Sequence, residues 1–165
     1  LTVGDEYQGA FDDLGAAMSA SFAASIALAP EVDIRHGIGH GSLEVLSDEP
    51  RVEDGPGWWA AREAIKQVHA EQQLSATRWR RTGFVAAPDT VDRSTLRAVR
   101  AALTLRDRAL AGLDERDLSV VRALLNGASQ LEIAEQLQIS ASAVSQRIRR
   151  AELGALVIAD REWGA

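Results

Sequence analysis

Cysteine is absent from these 165 residues, which excludes disulfides, thiolate metal sites and cysteine nucleophiles at once. The same absence fits a reducing cytoplasm, the expected location. Long apolar runs are missing as well. Although 46% of the residues are apolar and a core can be buried, no stretch approaches the ~20 residues of a membrane span. Leu1-Thr2-Val3-Gly4-Asp5 has neither the basic start nor the apolar run of a secretion signal. A starting methionine is also missing, and the chain opens within what reads as a strand, so the expectation is a fragment of a longer polypeptide. There is no Ser-His-Asp arrangement, P-loop or zinc spacing. Basic residues are scarce at the front: residues 1–46 hold one base, Arg35, against seven acids. The balance reverses over 74–112, with eight arginines against three aspartates, and 141–151 holds three arginines and no acid. The formal net charge of −6 therefore hides local basic patches, a distribution that suits a modular protein touching nucleic acid with its rear.

Residues 1–3 and 7–11 flank Gly4-Asp5-Glu6 like the arms of a β-hairpin. Asp12 or Asp13 caps a helix in which Leu14, Ala17, Met18, Phe22 and Ile26 recur at helical spacing, with Pro30 as the stop. Residues 32–46 alternate as a strand broken by Gly37, Gly39 and Gly41, which let another backbone or a ligand come close. His36 and His40 share a face of this strand, a metal pair without a third ligand. After a polar loop, Trp58, Ala61, Ile65 and Val68 mark a helix to about residue 73, with Trp58 and Trp59 read as core and edge packing. Residues 77–85 read as another strand, whose Arg78, Arg80 and Arg81 are either phosphate contacts or solvated side chains. Residues 94–111 form a long helix buried through Leu96, Val99, Leu103 and Leu110. This order predicts an α+β fold over residues 1–88, ferredoxin-like (palm-like), with helices on one face of a largely antiparallel sheet. A linker helix within 89–112 follows.

The rear reads as an all-α helix-turn-helix domain over 113–165, ending in a tail. Asp114 caps a first helix with Leu118, Val121, Leu124 and Leu125 inward, and Asn126-Gly127 supplies its left-handed stop. Ser129-Gln130-Leu131-Glu132 is a capping box for a short second helix. Leu137-Gln138-Ile139 makes a tight turn, and Ser140 caps a third helix with Val144, Ile148 and Ala151 on one side. The other side shows Ser142, Ser145, Gln146, Arg149 and Arg150. A recognition helix enters a groove ~12 Å wide and needs compact polar groups and arginines there. Gln146 suits adenine, while Arg147, Arg149 and Arg150 suit phosphates. A plain three-helix bundle with solvated arginines is the competing reading.

Three kinds of resemblance follow from these residues. Through Glu132-Ile133-Ala134, Ile139-Ser140 and Ala143-Val144-Ser145, residues 113–153 resemble the LuxR and sigma-factor region-four class of helix-turn-helix. Gly4-Asp5-Glu6-Tyr7-Gln8-Gly9, then Arg35 to Gly41, then Asp54 to Glu63, with the helix-turn-helix behind them, make nearly the whole chain similar to the SatD family. That resemblance implies a bacterial regulator. The family's usual first strand, with its Gly-Asp-Ile element, is not present. The same three segments resemble, more faintly, class III nucleotidyl cyclases. This likeness implies a nucleotide and Mg²⁺ site drawing on Asp5, Arg35, Gly37, Gly39 and Arg62, with a second carboxylate upstream of Leu1. Trp58 stands where the cyclase asparagine would be, and an indole cannot replace its hydrogen bonding.

The expectation is thus a transcriptional regulator that binds DNA through Ser140, Ser142, Ser145, Gln146, Arg147, Arg149 and Arg150. It would act as a homodimer, with the front half dimerising or sensing a small molecule or nucleotide, and with no membrane partner. The alternative is a metal-dependent nucleotide-processing domain with a regulatory tail.

Overall fold

The computed structural model describes residues 6–164, an α+β arrangement of seven helices and four short strands. Helix α1 (Leu14–Leu28) starts at Asp13, whose carboxylate accepts from the Ala16 N–H at 2.8 Å. Strand β1 (His36–His40) follows, then β2 (Glu44–Asp48) and β3 (Arg51–Asp54), α2 (Pro56–Gln72), and β4 (Thr82–Ala86). Helix α3 (Arg93–Leu110) is capped by Asp92. The rear consists of α4 (Glu115–Leu125), α5 (Gln130–Leu137), α6 (Ala141–Arg150) and α7 (Leu153–Trp163).

The strands depart from a single antiparallel sheet. Among the described residues, β1 pairs in parallel with β4, in register from His36 beside Thr82 to His40 beside Ala86. Only β2 and β3 are antiparallel, as a separate hairpin with an irregularity between Val45 and Ser47. The reason is the connection: α2 carries the chain back between β1 and β4, and a helical crossover delivers the second strand parallel to the first. The strand expected over 32–46 is split at Gly41, and the one expected over 77–85 begins only at Thr82. Residues 7–11 lie outside regular structure. Residues 1–3, their expected partner, fall outside the described residues.

The glycines of β1 explain how α2 sits on the sheet. A Cβ at Gly37 would collide with the Ala61 carbonyl, and one at Gly39 with the Gly57 carbonyl and the Ala61 N–H. Gly83 on β4 is as tight, with the Ala64 carbonyl 2.6 Å from where a Cβ would be. The backbone that approaches these glycines is therefore that of α2, whose facing positions Gly57, Ala60 and Ala64 are themselves small and buried.

Two apolar clusters result. Met18, Ile38, Phe84 and Leu103 form one, between α1, β1, β4 and α3. Phe22 and Ile26 of α1 join Leu118, Val120, Val121, Ile133, Val144 and Leu153 in the other. Helix α1 is apolar nearly all round, which suits a helix shared by both. Helix α7, expected only as a tail, buries Leu153, Leu156 and Val157 against α1, α4 and α6.

Candidate nucleic-acid interface

Helix α6 is set by local chemistry at each end. The Ser140 hydroxyl accepts from the Ala143 N–H at 3.2 Å and lies 2.9 Å from the Ser142 hydroxyl. Before it, Gln138 takes a left-handed conformation at φ 54°, and the Ile139 N–H returns to the Ala134 carbonyl at 3.0 Å, closing α5 tightly. Ala134 is buried there. Helix α5 begins with the expected capping box: the Ser129 N–H meets Glu132 at 2.7 Å, and the Glu132 N–H meets the Ser129 hydroxyl at 3.3 Å. The amide holds the Glu132 carboxyl below its usual range. Helix α4 ends at Leu125 with Asn126 as its cap, and Gly127 follows at φ 80° with open space around it.

Val144 is fully buried and Ile148 packs beside it, which fixes the rotation of α6. Ser142, Gln146, Arg149 and Arg150 consequently point to solvent, and Ser145 is half-buried. The side chains of Gln146 and Arg149 make no hydrogen bond or ion pair within the described residues.

Arg147 is placed differently from the phosphate contact expected of it. It is only 19% exposed and bonds Asp114 at 2.9 Å and Asp117 at 2.5 Å, tying α6 to the start of α4. Bonding to Asp114, then Asp117, raises its pKa, so it stays charged. The Asp114 carboxyl is held below its usual range by the Asp117 N–H and then by Arg147. Arg150 is 65% exposed and reaches Asp117 only at 3.4 Å. Arg149 and Arg150 therefore carry the available positive charge of this face.

Of the residues expected to hold a nucleotide and Mg²⁺, four are described. Gly37 and Gly39 lie beneath α2. The Arg35 guanidinium meets Nδ1 of His69 at 2.8 Å on the surface, and Arg62 is exposed on α2. Asp5 falls outside the described residues. No group of three or more His, Asp or Glu among the described residues is arranged to hold a metal ion. His36 is buried, whereas Nδ1 of His40 meets the Thr90 hydroxyl at 3.1 Å. Of the strand arginines, Arg80 is buried against Glu71 at 2.8 Å and Arg81 is paired with Asp33, which leaves Arg78 exposed.

Sequence reasoning missed a buried charged network beneath these arginines. Asp107 of α3 accepts from the Arg81 N–H at 2.8 Å and the Thr82 N–H at 2.7 Å. Neighbouring Arg106 donates to the Met18 carbonyl at 3.0 Å, the Ser21 hydroxyl at 3.1 Å and the Thr82 hydroxyl at 2.7 Å. Its guanidinium lies over Phe22 at 5.8 Å and Trp163 at 5.5 Å. Burial lowers its pKa to about 10, and it remains a cation. His36 is buried close by, and both ring nitrogens lack a partner among the described residues. Burial, with Arg106 second, lowers its pKa to about 4, so it is neutral at pH 7. The signal was present in the sequence: Arg106, Asp107 and Leu110 follow Leu103 at i+3, i+4 and i+7, on the apolar stripe of α3.

The family model described as the SatD family matches residues 1–161, and the chain belongs to that family. No curated protein and no solved structure matches it.

Proposed function

We propose that the protein is a DNA-binding transcriptional regulator in which α4, α5 and α6 act as a helix-turn-helix and α6 is the helix that enters the major groove. The observation that carries this reading is the solvent-facing flank of α6, where Ser142, Gln146, Arg149 and Arg150 stand opposite buried Val144. Gln146 presents an amide suited to the adenine edge. Arg149 and Arg150 reach for phosphates, and Arg147 positions the helix through Asp114 and Asp117. A single such unit binds weakly, so two copies on two half-sites are the working form. The front half, built on the parallel β1–α2–β4 unit, serves that assembly as its dimerising or ligand-sensing part.

Selection of bound fragments from random DNA by the full chain tests this. An enriched motif that relaxes at one position in Gln146→Ala supports the reading. Arg149→Ala should weaken binding to all sequences alike and reduce the salt slope by about 1. Absence of any enriched motif, together with salt-independent binding, would overturn it.

A further inference from the structure

We propose that the β2–β3 hairpin is an arm that docks on the outer face of α3 in a second copy of this chain. Among the hairpin's strand residues none is buried, and Val45, Leu46 and Val52 are 50%, 62% and 44% exposed. An unsupported two-stranded hairpin is marginal in water. Trp59, 62% exposed, extends the apolar surface, and its indole N–H donates to Asp54 at 2.8 Å. The apolar residues are interspersed with Glu44, Asp48, Glu49, Glu53 and Asp54, and the sole base, Arg51, is tied to Glu53 at 2.7 Å. Whatever covers this arm must be apolar and basic.

The outer face of α3 has that chemistry. Arg93, Arg97 and Arg108 are exposed on it. Leu105 stands among them at 71% exposure. The helix's one acid, Asp107, is buried and leaves their charge uncompensated at the surface. Acidic arm and basic helix are thus complementary in charge, and each offers aliphatic side chains to the other.

Both surfaces also arise at one end of the sheet. The Ala87 N–H bonds the His40 carbonyl at 2.7 Å, just before the chain departs for the hairpin, and Thr90, bonded to His40, leads into the Asp92 cap of α3. Two copies related by a two-fold axis can therefore exchange arms reciprocally, and such a contact closes on itself as a dimer. A phosphate contact for the α3 arginines would leave the hairpin uncovered, which favours the second copy as occupant. The inference supplies the dimer that the proposed function uses, and its test needs no DNA, so the two can fail separately.

Sedimentation of the full chain without DNA decides the matter. The expected result is a dimer that Arg93→Glu with Arg97→Glu converts to monomer, as does Glu44→Arg with Asp48→Arg. A chain carrying all four substitutions should regain the dimer, since each charge again meets its opposite. Leu46→Ser and Leu105→Ser, which alter no charge, should each raise the dimer Kd by roughly tenfold. A monomeric parent chain would overturn the proposal. So would a four-fold variant that is folded by circular dichroism yet monomeric. An α3 reversal that leaves the sedimenting mass unchanged would overturn it too.

Discussion

The βαβ unit formed by β1, α2 and β4 and the helices α4 to α6 reach stability by different routes. In the rear, branched aliphatic side chains such as Val121, Ile133 and Val144 fill the space between helices. Caps and turns are settled locally, and Ser142, Gln146, Arg149 and Arg150 of α6 are left outside. In the front, Gly37, Gly39 and Gly83 let helix and strand backbones touch. Charges enter the core, with Arg106 and Asp107 buried beside a neutral His36. A conspicuous residue in a layer packed so closely is consumed by packing, whereas one on a free helix flank remains available for recognition.

The sharpest way to break this contrast is at the buried charges. Asp107→Ala should cost about 3–5 kcal/mol, because Arg80 and the amides of Arg81 and Thr82 lose their acceptor. Urea unfolding measures it, and a cost within the range of a surface substitution would show that water replaces the carboxylate. Gly39→Ala should cost about 3 kcal/mol through overpacking against α2. Gly127→Ala sharpens the comparison: there only the positive φ objects, so the expected cost is about 1 kcal/mol. Equal costs at these two glycines would remove the distinction between the layers.

His36 adds a pH dependence that originates in the front. In the unfolded chain it takes up a proton near its ordinary value of 6.5, but in the fold only near pH 4. Between these values protons favour the unfolded chain. Its contribution is thus complete above pH 6.5 and falls by about 3 kcal/mol as the pH drops to 4. His36→Leu should flatten that limb of a stability–pH curve. At the small end, Gln146→Ala should change stability by no more than about 0.5 kcal/mol, since its side chain is exposed and makes no hydrogen bond within the described residues. A larger loss would mean that the α6 flank has a structural duty.

The rear was legible because its signals are local. Asp114, Ser129 and Ser140 each cap the helix their position announces, and Gly127 and Gln138 take the left-handed conformations their turns require. Helix α7 was overlooked although Leu153, Leu156 and Val157 repeat at helical spacing, because no capping side chain precedes it: Glu152 itself sits at φ 51°. The SatD resemblance read from the motifs of both halves holds over residues 1–161. Strand direction in the front was not legible, since it depends on which strands α2 joins. The glycines of β1 indicated close approach but not of what. Arg106 and Asp107 share the apolar stripe of α3 with Leu103 and Leu110, but their partners, Thr82 and the Arg81 amide, come from more than twenty positions away and are brought beside them only by the fold.

Arg122 of α4 donates to the carbonyls of Ile26 and Ala29, more than ninety positions earlier in the chain. With Phe22 and Ile26 seated among the rear helices, the α4–α6 unit is no portable cassette. Cut out at residue 113, it would present an open apolar slot where α1 belongs. In the intact chain, α1 must wait for partners synthesised far later, and such distant pairing slows folding.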